Sequence, residues 1–117
     1  MIRVHHAPEA LMFSLAMAHD GILREKVTAS FASYHCVAEV NTPHENSAYR
    51  LTNSINSSWW TNNEVKFLGS AEHGLKGARS TCVGDVFEHA NGFKAIVGRF
   101  GFIPFELPAP LAQSAGN

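Results

Sequence analysis

The sequence predicts a small α+β domain: a mainly antiparallel sheet with a C-terminal β-hairpin and two helices packed on one face, in the order β-α-β-α-β-β-β. Three observations carry that prediction. Asn91-Gly92 stands between two apolar-rich runs, a strong short-range signal for a two-residue hairpin turn. Thr42-Pro43-His44-Glu45 has the order of a helix start, with Thr as N-cap, Pro at the first helical position and Glu completing a capping box. Finally, 117 residues with 45% hydrophobic and 16% charged content are enough for one core and one domain. Residues 1–106 make that domain, and 107–117 (LPAPLAQSAGN) make a Pro/Ala-rich tail.

The elements follow in order. Ile2 to His6 alternates and makes a first strand. A helix from Pro8 to His19 comes next, apolar nearly all round (Leu11, Met12, Phe13, Leu15, Met17), with Gly21 as its stop. A helix with no polar face is either deeply buried or shared with a partner chain, which points to a homodimer through residues 8–19. Ile22 to Thr28 reads as a mixed connector with at most a turn of helix. Phe31 to Val40 is the second strand, with Ala32, Tyr34, Cys36, Ala38 and Val40 as its core face. The capped helix runs from Thr42 to Ile55 and buries Ala48, Leu51, Thr52 and Ile55. Residues 56–77 are the least regular part, ending in a Gly-rich loop, GSAEHGLKG.

The hairpin occupies Arg79 to Phe105. A two-residue loop pairs Phe87 with Ile96 and sets Val83, Phe87, Ile96 and Phe100 on one core face, with Asp85 opposite Gly98. Asp85 then serves architecture, its carboxylate accepting backbone N–H groups at the strand start. Gly98 and Gly101 bend the chain into a last short strand, Phe102 to Phe105, which Pro104 confines to an edge.

Composition narrows the function classes. A formal net charge of −1 argues against a strongly basic nucleic-acid binder. Two cysteines, Cys36 and Cys82, are too few for a disulfide framework and read as packed free thiols. No run reaches the ~18 apolar residues of a membrane span, so no membrane role is expected. The run ALMFSLAMA carries Ala16 and Ala18 as a signal-peptidase site would, but it is short and Pro8-Glu9 interrupts its approach, so it reads as a structural helix. The seven histidines are scattered, with no His-x₃-His or Cys-x₂-Cys pair, and no metal is assigned. No nucleophile elbow, Walker loop or dinucleotide fingerprint is present, so neither catalytic residues nor a cofactor are assigned.

Several residues in the second half form a recurrent pattern: RLTNSIN at 50–56, Trp59 or Trp60, Asn62 or Asn63, RSTCVGDV at 79–86 and Gly101-Phe102. The pattern resembles small uncharacterised proteins of bacteria, plasmids and phages. Those carry a helix ending in LTN, a Trp-x-x-Asn element, an Arg-Ser-Thr/Met-x-Val-Gly-Asp-Val strand and a C-terminal Gly-Phe. The match covers about half of the chain, and Cys82 and the doubled Trp depart from it. The resemblance implies a prokaryotic, cytoplasmic protein of phage or mobile-element origin, and it supplies no activity.

Trp59, Trp60, Asn62, Arg79, Ser80 and Thr81 are the expected binding residues, because aromatic and Arg side chains dominate recognition surfaces. One of the two tryptophans is expected in the core. A non-catalytic protein-binding module ranks first. A nucleic-acid-binding module stacking bases on an exposed Trp, with Arg79, Lys76 or Lys94 on phosphates, ranks second. A small metal- or thiol-dependent enzyme ranks third.

Overall fold

A computed structural model describes residues 1–54 and 57–108, and these form an α+β domain around a six-stranded antiparallel sheet. The strands are β1 (Ile2–His6), β2 (His35–Val40), β3 (Val65–Phe67), β4 (Val86–His89), β5 (Lys94–Gly98) and β6 (Gly101–Phe105), in the order β3-β2-β1-β4-β5-β6. Three helices accompany them: α1 (Glu9–Ala16), α2 (Asp20–Ser30) and α3 (Glu45–Thr52). The end of the expected 42–55 helix and most of the Pro/Ala tail lie outside the described residues.

The first strand splits the chain's hydrophobic residues between two faces. Ile2 and Val4 point to one core, shared with Val37, Ala38, Val40, Ala48, Trp59, Phe87 and Val97. Their alternates lead to the other core, where Leu15, Leu23 and Val27 pack on Val86, Ile96, Ile103 and Phe105. The helices therefore do not share one face: α1 and α2 cover one side of the sheet, and α3 with the tryptophans covers the other. The apolar residues explain this division, since both sides of β4 and β5 are buried and need cover.

Several local differences from the sequence reading have physical reasons. Residues 20–30 are a full helix, with Gly21 inside its first turn instead of ending α1. Leu23 and Val27, four residues apart, bury one side of α2, while Arg24, Glu25 and Lys26 face solvent. Residues 31–33 are a 3-10 turn, so β2 starts only at His35. A bulge opposite Val4/His5 then turns Val37 inward beside Ala38, and Tyr34 packs on the opposite core. Thr42 does not cap α3. Its hydroxyl accepts the His44 N–H at 3.2 Å, and the helix begins at Glu45.

The hairpin register is displaced by one residue. Val86 pairs with Ile96 and Phe87 with Ala95, closed by a three-residue loop, Ala90-Asn91-Gly92. Only Gly92 takes positive φ (+91°), so Asn91 avoids the left-handed backbone that a two-residue turn would impose. One step of register moves every side chain to the opposite face, and Phe87 and Ile96 fall in different cores. Phe100 leaves the core altogether and sits fully exposed in the turn between β5 and β6. The edge strand β6 is blunted as expected. Pro104 has no N–H to offer, and Arg24 Nε donates to its carbonyl at 3.2 Å.

Candidate functional site

Part of the sequence pattern, Thr52–Ser54 and Trp59, meets the segment Arg79–Asp85 where it enters the sheet. Thr81 N donates to Thr52 O at 2.9 Å, and Asn53 Nδ2 donates to Thr81 O. Ser80 Oγ donates to Ser54 O at 3.1 Å, and the Trp59 indole N–H donates to Arg79 O at 3.2 Å. The end of α3, the Trp turn and the lead into β4 are thus fastened together strand-fashion, though no regular strand forms there.

Asp85 is the centre of that junction and is completely buried. Its Oδ1 accepts from Ala7 N (2.9 Å) and Arg79 Nη2 (2.8 Å). Its Oδ2 accepts from Arg79 Nη1 (2.7 Å) and Cys82 N (2.8 Å). Two backbone donors and a two-pronged guanidinium fill the carboxylate. Arg79 Nη2 also donates to Ala7 O at 2.9 Å, so the pair clamps the end of β1 to the start of β4. Burial works against the charge on Arg79, but its hydrogen bonds and attraction to Asp85 outweigh this and raise its pKa.

Burial holds the neighbouring groups uncharged near neutral pH. His6 Nε2 lies 2.9 Å from Thr81 Oγ1 and 3.8 Å from Asp85 Oδ2, and burial lowers its pKa to about 4 despite the carboxylate. Burial, followed by the Asp85 charge, pushes the Cys82 thiol up to about 11. Burial also raises Cys36, and both thiols are free. A nucleophilic thiolate needs the reverse shift. Beside the network lies a narrow cavity of about 60 Å³, lined by His6, His35, Ser33, Ser70 and Arg79. It has room for a few waters but not for a drug-sized ligand. Among the described residues, no three His, Cys, Asp or Glu side chains group as metal ligands would.

The expected binding residues are thereby accounted for one by one. Trp59 is in the core, as expected of one tryptophan, stacked edge-on against His6, Trp60 and Phe67. Trp60 is half-buried on Phe67 and over Gly77, where a Cβ would come within 2.6 Å of its ring. Thr81 is buried, while Arg79 and Ser80 are half-buried and hydrogen-bonded inside. Asn62 is exposed, but its Oδ1 accepts the Glu64 N–H to close the turn into β3. These six residues form one constellation, yet only Asn62 stands fully at the surface. The loop 69–77 is organised too: Ser70 and Gly74 bridge each other, and Ser70 Oγ donates to Gly77 O at 2.7 Å.

Exposed apolar groups lie here and elsewhere: Leu75 (76% exposed) sits in the 69–77 loop, whose Gly77 packs on Trp60, and Leu68 just before it. Phe13 (78% exposed) and Met17 (62%) stand one turn apart on α1, and Phe100 is fully exposed nearby. The guanidinium of Arg99, next to Phe100, donates to the carbonyl of Ala16, next to Met17, and joins the two regions. Asp20 borders the same turn. The apolar run at 10–18 signalled half of this patch; Phe100 was hidden by its expected core position. No family model, curated protein or solved structure matches this chain. Among the described residues, no helix is long and apolar enough to cross a membrane.

Proposed function

We propose that the chain is a non-catalytic protein-binding module, a cytoplasmic accessory protein of a phage or mobile element. One observation carries the reading: Phe13 and Met17 stand exposed one turn apart, and Phe100 is fully exposed in the β5–β6 turn, which Arg99 ties to the end of α1 through the Ala16 carbonyl. Such clusters mark protein contact surfaces, because leaving them in water forgoes about 25 cal/mol for each Å² of apolar surface. The non-catalytic part rests on the Asp85 carboxylate being filled by Arg79 and two backbone donors and on His6 being bonded to Thr81, while the buried Arg79 Nε has no partner among the described residues. The binding surface is accordingly moved from the Trp loop to α1 and the β5–β6 turn. Nucleic acid is the weaker reading, since Trp59 offers no free face and Lys94 is paired with Glu88 at 3.7 Å.

The test is capture by the tagged protein from nuclease-treated host lysate, comparing wild type with Met17→Ser and Phe100→Ser. A protein retained by wild type and by Trp60→Ala, but lost from both patch variants, supports the reading. Recovery of nucleic acid alone, or of proteins indifferent to the patch, overturns it.

A further inference from the structure

The outer side of α1 is a helical seam. Ala10, Phe13, Ser14 and Met17 are all exposed and follow the i, i+3, i+4, i+7 spacing by which one helix packs on another. Leu15 and Ala18 bury the inner side in the domain's own core, so the helix is apolar on both sides. Ala10 is small enough to let a second helix approach, Ser14 holds the Lys26 ammonium at the edge of the seam, and Phe13 and Met17 are the knobs beside them. This is the geometry of a helix that packs inward on its own domain and outward on another helix.

Charge indicates which helix. Around the seam, Glu9 and Asp20 are acidic, and Arg99 and Lys26 are basic. Arg99 is tied to Ala16 O, and Lys26 Nζ donates to Ser14 Oγ at 2.6 Å. A surface for a strongly acidic or basic partner carries one sign. This one carries both signs, so it can meet its own copy across a two-fold axis without setting one sign against itself throughout. The whole chain carries a formal charge of −1, and two copies have little long-range repulsion to overcome.

The area is of the right order. Phe13 and Phe100 alone expose roughly 350 Å², taking a buried aromatic as 150–250 Å². Met17 and Ile22, also exposed, add to this. A standard interface buries about 800 Å² per partner, so these apolar side chains make up roughly half of one partner's share.

We propose that a second copy of this chain docks on the α1 seam, with α1 against α1 about a two-fold axis and Phe100 of each copy flanking the contact. This rests on the protein-binding reading and names the partner. The test is light scattering on the full chain across a roughly 100-fold dilution, where mass action makes a dimer concentration-dependent. Wild type is expected to show twice the monomer mass at the upper end. Phe13→Glu and Met17→Glu are each expected to weaken association at least tenfold, with near-ultraviolet circular dichroism confirming their fold.

A wild-type monomer at every concentration overturns the proposal, as does a dimer that Phe13→Glu and Met17→Glu leave intact. Either failure still allows patch-dependent capture of a different protein, so the binding reading fails separately from this one.

Discussion

Replacing Asp85 with Ala tests the junction most severely, and its cost can be built up from the contacts. The change strips partners from Ala7 N, Cys82 N and both terminal nitrogens of Arg79. Breaking a buried ion pair by removing one member costs about 3–5 kcal/mol, because the other charge stays buried. The two backbone donors lose their acceptor as well, at about 1–3 kcal/mol each before relaxation or water entry. We therefore expect at least 4 kcal/mol, a large share of the roughly 5–15 kcal/mol that holds a domain together. Arg79→Met should cost about 3 kcal/mol, the low end of the ion-pair range, because the stranded Asp85 carboxylate is fully buried but keeps its two backbone donors. The double variant is the decisive one. It removes the stranded guanidinium and is expected to be more stable than Asp85→Ala alone, which requires an interaction larger than the Arg79→Met cost, more than about 3 kcal/mol in a double-mutant cycle. Urea titration followed by fluorescence of the buried Trp59 reads all three, with Asp85→Asn as a gentler substitute should Asp85→Ala not fold. The reasoning is refuted if Asp85→Ala costs under about 1 kcal/mol, or if the double variant merely sums the singles.

Further outcomes follow from the same geometry. His6 has its pKa lowered from 6.5 to about 4, so between those values the unfolded chain binds a proton that the folded chain refuses. Stability is thus fully present above pH 6.5 and falls as pH drops toward 4, by up to about 3 kcal/mol from this group. His6→Gln should flatten that part of the pH–stability curve measured by urea titration, and an unchanged slope would contradict the assignment. Cys82, with its thiol pushed up to about 11, should react with a thiol reagent at pH 8 far more slowly in the folded chain than in denaturant. Equal rates would contradict it. Gly84 has φ +97°, and a Cβ there would lie 2.8 Å from that of Leu15, so Gly84→Ala should lower stability by about 2 kcal/mol or more through backbone strain and clash. A thermal melt within two degrees of wild type would show that α1 does not pack as described.

Much of the fold was legible because local rules were obeyed. Alternation at Ile2–His6, Pro104 at an edge and the glycines around Arg99-Phe100 give strands where they were expected. Helix α2 was obscured because only Leu23 and Val27 repeat clearly at helical spacing and Gly21 imitates a stop. Strand β3 spans three residues, too few for a period to emerge. The hairpin misled through one residue: Asn-Gly suits a two-residue turn, but the three-residue loop puts Gly92 alone in the left-handed region. That step of register reassigned Phe87, Ile96 and Phe100 together. Arg79 and Thr81 were expected as binding residues, but sequence cannot tell a guanidinium offered to a partner from one offered to Asp85, six residues on. Only the packing of Ala7 and α3 around that pair decides it.

Amide hydrogen exchange at Ala7 and Cys82 asks most directly whether the Arg79–Asp85 junction is closed architecture. Both N–H groups donate to the Asp85 carboxylate, which is wholly buried. If the junction is the keystone described, they exchange only through global unfolding, with the same opening free energy as the central amides of β1 and β4. If Arg79–Thr81 is instead an open recognition surface, they exchange orders of magnitude faster than those strands, and the account fails.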